Sequence, residues 1–468
     1  MSTFIQYLER RIRQLLCAGA FALASGVAPA AHGQTSAIPP SPPTPAASSP
    51  ETAASTSPET WAVHGQITNV TQWHGHFNSP YRGTNSLRSD GRTEETTDIT
   101  IYGGLKLWRG AELWLNPELD QGFGLDNTVG VAGFPSGEAY KIGANRPYLR
   151  LPRAFIRQTI DLGGTIDPVL PAANQLAGTR ASENLTITVG KFSPTDIFDT
   201  NGYAHDPRAD LLNWSIIDAG AFDYAADAWG YTYGAAAEWS QSSWTARGGV
   251  FQLSKVPNGK VTGVDFSQFM LVGEFEQRYE SAGQTGKVKL LGFLNRGRMA
   301  RYREATAFGL TQGSAPDVVP VRRYGSRPGI GVNIEHPFTS ELGAFARVSV
   351  NDGTKEAYEF TEINKSISGG LSLKGTSWGR ADDTLAIAGA VNGLSSDARA
   401  YFAAGGIGIL IGDGALNYGL EKIVEVGYSA RLTPHLALSL NYQHVTNPAY
   451  NRDRGPVSIY GFRAHADF

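Results

Sequence analysis

The chain has 468 residues, of which 41% are hydrophobic and 18% charged, with 55 Gly, 21 Phe, 19 Tyr and 9 Trp. This composition excludes intrinsic disorder, which requires few aromatic residues and a high net charge. The formal net charge of −3 excludes a general design for binding nucleic acid. After residue 33, no stretch approaches the ~18 consecutive apolar residues that a membrane-spanning helix requires.

Residues 1–33 have the features of a secretory signal peptide. Arginines ending at Arg13 form a positive region, residues 15–27 form a short apolar region, and residues 31–33 supply the small side chains of a cleavage site. We therefore expect cleavage before Gln34, which takes the formal net charge of the chain from −3 to −5. A membrane anchor is the alternative, but the apolar segment is too short and too rich in Ala and Gly.

The expected mature chain has no cysteine, because Cys17 lies within the signal peptide. The preceding Leu16 is not the small residue that lipidation of Cys17 would require. Without disulfides, an exported chain is held together by backbone pairing and burial, as in a closed barrel. Residues 34–60 are rich in Pro, Ala, Ser and Thr, which predicts a solvated linker, most simply a periplasmic spacer. Contact of this linker with peptidoglycan is an alternative without support.

From about residue 61 to residue 468, apolar and polar residues alternate with the period of two that is typical of β-strands. Ile99 and Ile101 share one face of a strand, for example, whereas Thr100 and Tyr102 share the other. The pattern predicts about sixteen strands. These segments lie near residues 62–73, 95–108, 111–121, 149–162, 184–191, 229–239, 243–253, 267–279, 286–296, 327–336, 341–351, 365–374, 384–392, 421–432, 434–444 and 457–468.

Large charged residues in the middle of strands, such as Glu118 and Arg347, indicate which face of the strands is in contact with water. In a soluble sandwich the apolar face would be the core. In a large barrel the apolar face meets lipid and the polar face lines an aqueous lumen. The sequence therefore predicts an all-β protein, a transmembrane antiparallel barrel of about 16 strands in the bacterial outer membrane, wide enough for a water-filled channel.

The final strand carries the most specific local pattern. Its apolar face ends on an aromatic residue at the C-terminus, which looks like the signal read by the outer-membrane assembly machinery. An ordinary edge strand that ends in Phe is the alternative. The apolar face comprises Tyr460, Phe462, Ala464, Ala466 and Phe468, and the opposite face comprises Arg463, His465 and Asp467.

Several segments together resemble the carbohydrate-selective porin family, also called the OprB family. The resemblance extends from about Ala62 to Phe468, whereas residues 34–60 and 298–327 do not match confidently. It implies a sixteen-stranded barrel that passes carbohydrates across the outer membrane. The segments are Glu112–Glu118, Gln121–Leu125, Gly130–Tyr140, Val189–Phe192, Asp196–Asp199, Tyr203–Arg208, Asn447–Asn451 and Arg454–Pro456.

Strand parity identifies candidate pore-lining residues on two neighbouring strands. A sugar channel needs charged groups that form hydrogen bonds with the sugar hydroxyls in place of water. The sugar must nevertheless bind weakly enough to pass through the channel. Carboxylates facing guanidiniums would set a transverse field across a constriction; the alternative is a Glu118–Arg157 salt bridge that only braces the wall. The candidates are Trp114, Asn116, Glu118 and Asp120 on the third strand, and Arg153 and Arg157 on the fourth.

We expect residues 191–214 to form either a long turn or a loop folded into the channel. In the second case their acidic side chains would narrow the channel. The further pore-lining candidates here are Asp196, Asp199, Asp206 and Arg208. A solvated loop whose acidic residues cap turns is the alternative. The Arg-rich segment 296–327 contacts lipopolysaccharide phosphates if it is extracellular, attracts anionic solutes if it folds inward, or is simply solvated.

Two enzyme motifs are missing from the sequence, H-E-x-x-H and G-x-x-x-x-G-K-[ST]. Ser136 is not a hydrolase nucleophile, because the run Gly133–Gly137 does not have the G-x-S-x-G spacing. We expect no cofactor and no catalytic residue. Two alternatives to a sugar channel remain, an outer-membrane lipase and a general or anion-preferring porin. The preferred sugar stays open, and both a monomer and a homotrimer are compatible with the sequence.

Overall fold

Sixteen antiparallel strands make up most of the molecule. A computed structural model describes residues 57–139, 143–359 and 361–468. The signal peptide predicted over 1–33 and the linker predicted over 34–60 lie outside these residues, apart from 57–60. The strands are β1 (Trp61–His76), β2 (Asp90–Trp108), β3 (Ala111–Gly122), β4 (Ala144–Val169), β5 (Gly178–Phe192), β6 (Thr232–Ser240), β7 (Trp244–Gln252), β8 (Phe269–Ser281), β9 (Gln284–Met299), β10 (Arg323–Pro337), β11 (Leu342–Asn351), β12 (Lys365–Gly375), β13 (Arg380–Gly393), β14 (Glu421–Thr433), β15 (Leu436–Thr446) and β16 (Val457–Asp467).

Each strand pairs with its neighbours in sequence, and β16 pairs with β1, so the sheet is a closed barrel. This closure gives every strand a hydrogen-bonded partner on both sides, which is what a strand in lipid requires. Phe468 completes the seam, because its N–H donates to Gly65 O and the N–H of Gly65 donates to Phe468 O, both at 2.9 Å. A Cβ at position 65 would lie 2.2 Å from Phe468 Cζ, so the closely packed ring requires glycine there.

The outer surface of the barrel carries the apolar residues that the strand pattern predicts for lipid contact. Aromatic side chains border this belt: Trp73 stacks on Tyr460 at one end, and Trp239 packs against Trp244 at the other. No helix within the described ranges is long and apolar enough to span a membrane. Exposed belt residues include Ile67, Ile99, Leu105, Leu115, Leu119, Ile156, Ile187, Leu271, Leu290, Ile330, Val348, Ile367, Ile387, Val424 and Leu440.

The connections differ at the two ends of the barrel. Most turns at the end that holds Phe468 are short, which is typical of the periplasmic end. We number the long connections at the other end L1 to L8. They cover residues 77–89 (L1), 123–143 (L2), 193–231 (L3), 253–268 (L4), 300–322 (L5), 352–364 (L6), 394–420 (L7) and 447–456 (L8).

Short helices lie almost entirely in these loops. The α-helices are α1 (Trp214–Ile217) in L3, α2 (Tyr302–Gln312) in L5 and α3 (Ser396–Ala403) in L7. The segment 298–327, which was predicted as a loop, therefore contains a helix of three turns. The 3₁₀ helices are Leu125–Thr128, Pro194–Asp196, Val319–Val321, Thr376–Trp378 and Pro448–Tyr450.

All sixteen predicted segments coincide with strands, and the predicted fold is confirmed. The largest boundary difference is in β4, which was predicted over 149–162 and spans Ala144–Val169. Its last part continues past the end of β3 and pairs with β5 alone, with register shifts around Gly163. The sequence there alternates only weakly, because this hairpin extends beyond the lipid-facing wall.

Gly104 and Gly103, adjacent in β2, provide a test of packing on the inner wall. A Cβ at Gly104 would lie 2.4 Å from Cη2 of the fully buried Trp114, whereas a Cβ at Gly103 would find its nearest atom at 3.6 Å. We expect Gly104→Ala to lower the free energy of unfolding by ~1–3 kcal/mol through overpacking. Gly103→Ala is the matched control and should change it little. Urea unfolding in detergent measures both; equal stability of the two variants would contradict the assigned packing.

Candidate functional site

L3 folds into the barrel and covers a large part of its inner wall. Residues 211–227 are buried throughout. The carboxylate of Glu425 on β14 accepts hydrogen bonds from the backbone N–H groups of Leu212 (2.7 Å) and Asn213 (2.9 Å). The side chain of Asn213 donates to Gln443 on β15 at 3.0 Å. The inward-folded alternative for this region therefore describes the structure, and the loop is longer than the predicted 191–214.

Glu421 on β14 holds two further loops in the same way. Its carboxylate accepts from the N–H groups of Ala132 (2.9 Å) and Gly133 (2.7 Å) in L2, and from Ala449 (2.8 Å) in L8. Asp223 in L3 accepts from the N–H groups of L6, including that of Tyr358 at 2.7 Å. Wall and loop carboxylates therefore satisfy the backbone donors that the inserted loops bring into the lumen.

Asp199, which was expected to line the pore, lies beneath L3 and faces the wall. Its carboxylate accepts from Arg347 Nε (3.2 Å), Asn333 Nδ2 (2.7 Å) and the N–H of Ala219 (2.6 Å). Only 1% of Asp199 is exposed. This geometry fixes the loop to β10 and β11 and leaves no carboxylate oxygen facing a solute.

On the opposite wall, three arginines of β4 point into the lumen; we call Arg150, Arg153 and Arg157 the arginine ladder. Arg150 donates to Glu118 at 2.6 Å and also to Asp120. Arg153 binds both oxygens of Asp196 in L3, at 2.6 and 2.8 Å. Carboxylates of β3 and guanidiniums of β4 are thus adjacent, as the sequence predicts.

The lowest rung of the ladder is Arg157. It lies 3.7 Å from Glu112 and donates to the backbone O of Asn174, in the turn 170–177, at 2.7 Å. The alternative, a Glu118–Arg157 salt bridge, is not formed, since Glu118 faces Arg150 in the register of β3 and β4. The guanidiniums of the ladder contact carboxylates of β3 or L3 directly, rather than across open water.

Arg150 was missed because a bulge changes the parity of β4. Asn116 pairs with Arg153 and Glu118 with Arg150, so β4 has one extra residue here, and Leu151 and Pro152 lie opposite Pro117 alone. A proline cannot donate to the ladder and is often found at such bulges. Beyond the shift, Leu149 and Leu151 face outward and Arg150 faces inward. The alternation of these three residues was visible in the sequence and could have identified Arg150.

Three aromatic residues that sequence reasoning missed flank the ladder. Arg153 lies over the ring of Tyr231 at 4.9 Å, and Arg150 lies over the ring of Trp229 at 5.2 Å, both within cation–π range. Trp229 Nε1 donates to the hydroxyl of Tyr148 at 3.1 Å. Trp229 and Tyr231 come from the end of L3 and Tyr148 from β4, so their meeting depends on the fold of the loop.

Arg208 in L3 lies among carboxylates from three elements. Its guanidinium is 3.7 Å from Asp98 and Glu118, and 3.4 Å from Glu138 in L2. Burial raises the pKa of Glu138 well above its usual value, although the charge of Arg208 opposes this. For Asp206, burial raises the pKa, but the charge of Arg208, the hydrogen bond from its backbone N–H and the nearby His465 and His205 together hold the pKa below its usual value. Asp206 also accepts from the N–H of Arg208 at 2.9 Å, which is a turn-capping contact.

Trp114 and Asn116 face the lumen as predicted, but both are fully buried beneath other groups. The indole of Trp114 donates to Glu112 at 2.9 Å. The two sides of the lumen therefore differ. Lumenal side chains of β10 to β16, such as Arg347 and Gln443, are covered, whereas those of the ladder are 10% to 28% exposed. We call the space along the ladder the open sector.

A closed sixteen-stranded barrel with a lipid-facing belt and inward-folded loops is the architecture of an outer-membrane porin. A family model described as carbohydrate-selective porin, OprB family, matches residues 84–468. The chain belongs to this family, which is a family of channels and not of enzymes. No curated protein sequence matches the chain significantly.

Solved structures show the same fold at low sequence identity. A high-pH structure of Pseudomonas putida OprB has a TM-score of 0.66 and 15% identity, covering 87% of this chain and 94% of that one. The outer-membrane channel DcaP of Acinetobacter baumannii has a TM-score of 0.50 and 10% identity, covering 87% of this chain and 97% of that one. The outer-membrane porin architecture predicted from the sequence is thus confirmed.

Asp199 provides a test of how L3 is held. We expect Asp199→Ala to lower the free energy of unfolding by about 3–5 kcal/mol, because it leaves the buried Arg347 unpaired. The double variant Asp199→Ala with Arg347→Met should recover part of this loss. Asp382→Ala, at an exposed position of β13, is the control and should stay within ~0.5 kcal/mol. Urea unfolding measures all three, and a wild-type value for Asp199→Ala would refute the anchor.

Proposed function

We propose that the chain is a passive channel that passes carbohydrates through the open sector, along the arginine ladder. The observation that supports it is the pairing of fixed guanidiniums with aromatic faces in a part of the described lumen wall that the loops leave partly exposed. Mono- and small oligosaccharides match this surface, because they have hydroxyl groups at their edges and apolar ring faces.

Each guanidinium of the ladder is oriented by a carboxylate, and Arg153 keeps donors for a solute. Arg153 uses two N–H groups on Asp196, and a third lies 3.4 Å from the hydroxyl of Tyr231. A guanidinium has five donors, so others remain for sugar hydroxyls. Hydrogen bonds from a charged donor are stronger than neutral ones. Water competes at each position, so the binding stays weak enough for conduction.

The predicted pore residues divide into three groups under this proposal. Arg153, Arg157 and Asp196 contact the solute. Glu118 and Asp120 position Arg150, which joins the solute contacts together with Trp229 and Tyr231. The remaining candidates shape the lumen from behind, either beneath the surface or within the fold of L3; they are Trp114, Asn116, Asp199, Asp206 and Arg208.

The anion-preferring alternative rests on the number of arginines in the lumen. Each rung of the ladder, however, has a carboxylate within 4 Å, so its charge is locally balanced. A balanced wall attracts an anion less than a bare guanidinium cluster would. The binding of a neutral sugar is not weakened by this charge balance, because its hydroxyls form hydrogen bonds with individual donors and acceptors.

Arg153→Gln tests the sugar contact. We expect the concentration of maltose or glucose that half-blocks the single-channel current to rise roughly tenfold, since a charged hydrogen bond is worth ~1.5–3 kcal/mol. Planar-bilayer recording measures the block and, with a KCl gradient, the ion selectivity. Lys422→Gln, which removes one charge from the exposed outer face of β14, is the matched control.

The result distinguishes the alternatives. Unchanged sugar block in Arg153→Gln would remove the ladder from the selectivity mechanism. Strong chloride selectivity in the unmodified chain, together with no block by any sugar, would favour the anion-preferring porin.

We also propose that residues 1–33 direct export and are removed, and that the assembly machinery recognises the strand ending in Phe468. The seam between Phe468 and Gly65 supports the second point, because the recognised strand is also the one that closes the barrel. The intact mass of protein extracted from outer membranes should correspond to a chain beginning at Gln34. A mass that includes residues 1–33 would overturn the cleavage proposal.

A further inference from the structure

The Arg-rich segment 296–327 divides between the two faces of the barrel wall. Arg327 points inward and pairs with Asp223 at 2.5 Å, where both side chains are fully buried. Arg322 pairs with Glu356 at 2.8 Å. These inward arginines are neutralised by the inserted loops. Arg296 and Arg298, in contrast, face away from the lumen.

Arg296 and Arg298 lie on the outer face of β9, just above the lipid-facing belt. Leu290 and Leu294 lie on the same face, nearer the membrane centre. Because side chains alternate along a strand, Arg296 and Arg298 continue this face toward the loop end of the barrel. Arg296 donates to Ser326 Oγ on β10 at 2.9 Å, and its guanidinium lies 4.6 Å from the ring centre of Tyr324. Aromatic residues occupy this border on β1 and β16, whereas β9 presents two guanidiniums beside Tyr324 of β10.

This outward patch has an excess of positive charge. Within the part of the chain that the structure describes, neither Arg296 nor Arg298 has a carboxylate within salt-bridge distance. Arg323 and Arg301 share the carboxylate of Glu304 but do not belong to this patch, because Arg323 has the same parity on β10 as the inward Arg327 and Arg301 lies in L5. Two guanidiniums, those of Arg296 and Arg298, therefore lie next to lipid without a carboxylate, where an unpaired charge is costly. The patch is complementary to an anionic headgroup.

A shallow groove runs down the outer wall directly below Arg296. Gly248, Gly273 and Gly292 lie side by side on β7, β8 and β9 in the strand register. A Cβ at Gly248 or Gly292 would meet no atom within 4 Å. Leu271 and Leu294 border its β8–β9 part, a shallow depression of about 410 Å³. Its apolar lining and its position within the belt suit an acyl chain.

We propose that this outer face binds lipid A, with a phosphate on Arg296 and Arg298 and an acyl chain in the glycine groove. The outward patch lies at the loop end of the barrel, which faces the outer leaflet. Guanidinium forks bind phosphate oxygens in pairs, and the groove lies where the acyl chains of that lipid would run. The site differs from the open sector in facing lipid rather than the lumen, so it is independent of the proposed sugar path.

Purified chain, refolded in detergent free of lipopolysaccharide, tests the proposal by native mass spectrometry. The probes are bisphosphorylated lipid A, the same lipid without its phosphates, and inorganic phosphate. We expect the first to bind most tightly and the double variant Arg296→Gln with Arg298→Gln to weaken it roughly tenfold or more. Gly292→Leu, which fills the groove, should weaken lipid A as well. Arg109→Gln, at an exposed position of the periplasmic turn, is the matched control and should bind as the unmodified chain does.

Two results would overturn the site: unchanged lipid A binding in the double arginine variant, or equal binding of the lipid without phosphates. Competition by inorganic phosphate at the same concentration as lipid A would also overturn it, because the site would then recognise a free anion rather than a lipid. Wild-type conductance and sugar block in the double variant show that the barrel is folded, so a loss of lipid binding in that variant supports the proposal.

Discussion

Carboxylates that accept backbone N–H groups hold this molecule in its functional form. Glu425, Glu421 and Asp223 each bind two or more amide donors from loops that have entered the barrel. Glu362 does the same for consecutive residues of L7, accepting from Leu410 at 2.7 Å and Ile411 at 2.8 Å. A loop inserted into a lumen loses its water, and each unsatisfied donor would cost about 1–3 kcal/mol. These carboxylates remove that cost, and the rest of the architecture depends on the loops being held in this way.

The asymmetry of the pore follows from this arrangement. Acceptors for loop backbone are concentrated on β10 to β15 and in L3 and L6, so the loops settle against that side and cover its polar wall. The β4 wall instead carries arginines, which cannot accept a hydrogen bond from a backbone N–H. Arg347 and Arg463 hold L3 by donating to its backbone carbonyls, whereas the ladder arginines bind the carboxylates of Glu118, Asp196 and Glu112 and stay partly exposed.

The strands could be predicted from the sequence because their period of two is local. Side-chain parity also identified the lumenal faces of β3 and β4, as Glu118 and Arg153 show. Parity failed where β4 has an extra residue opposite Pro117, since the alternation of inward and outward positions changes phase there. The contacts that individual loop side chains make could not be predicted. Asp196 and Asp199 are three positions apart in similar sequence, yet one orients a ladder arginine and the other fixes L3 beneath the surface. Their partners, Arg153 and Arg347, are distant in the chain and in opposite directions.

The local charge balance of the ladder determines how its contacts respond to salt. Glu118, Asp196 and Glu112 lie beside Arg150, Arg153 and Arg157. The lining therefore consists of short dipoles whose fields decay over a few ångströms. Salt screens a bare cationic lining and weakens its attraction for anions. Hydrogen bonds between these paired groups and an uncharged solute change little with the ionic strength of the medium.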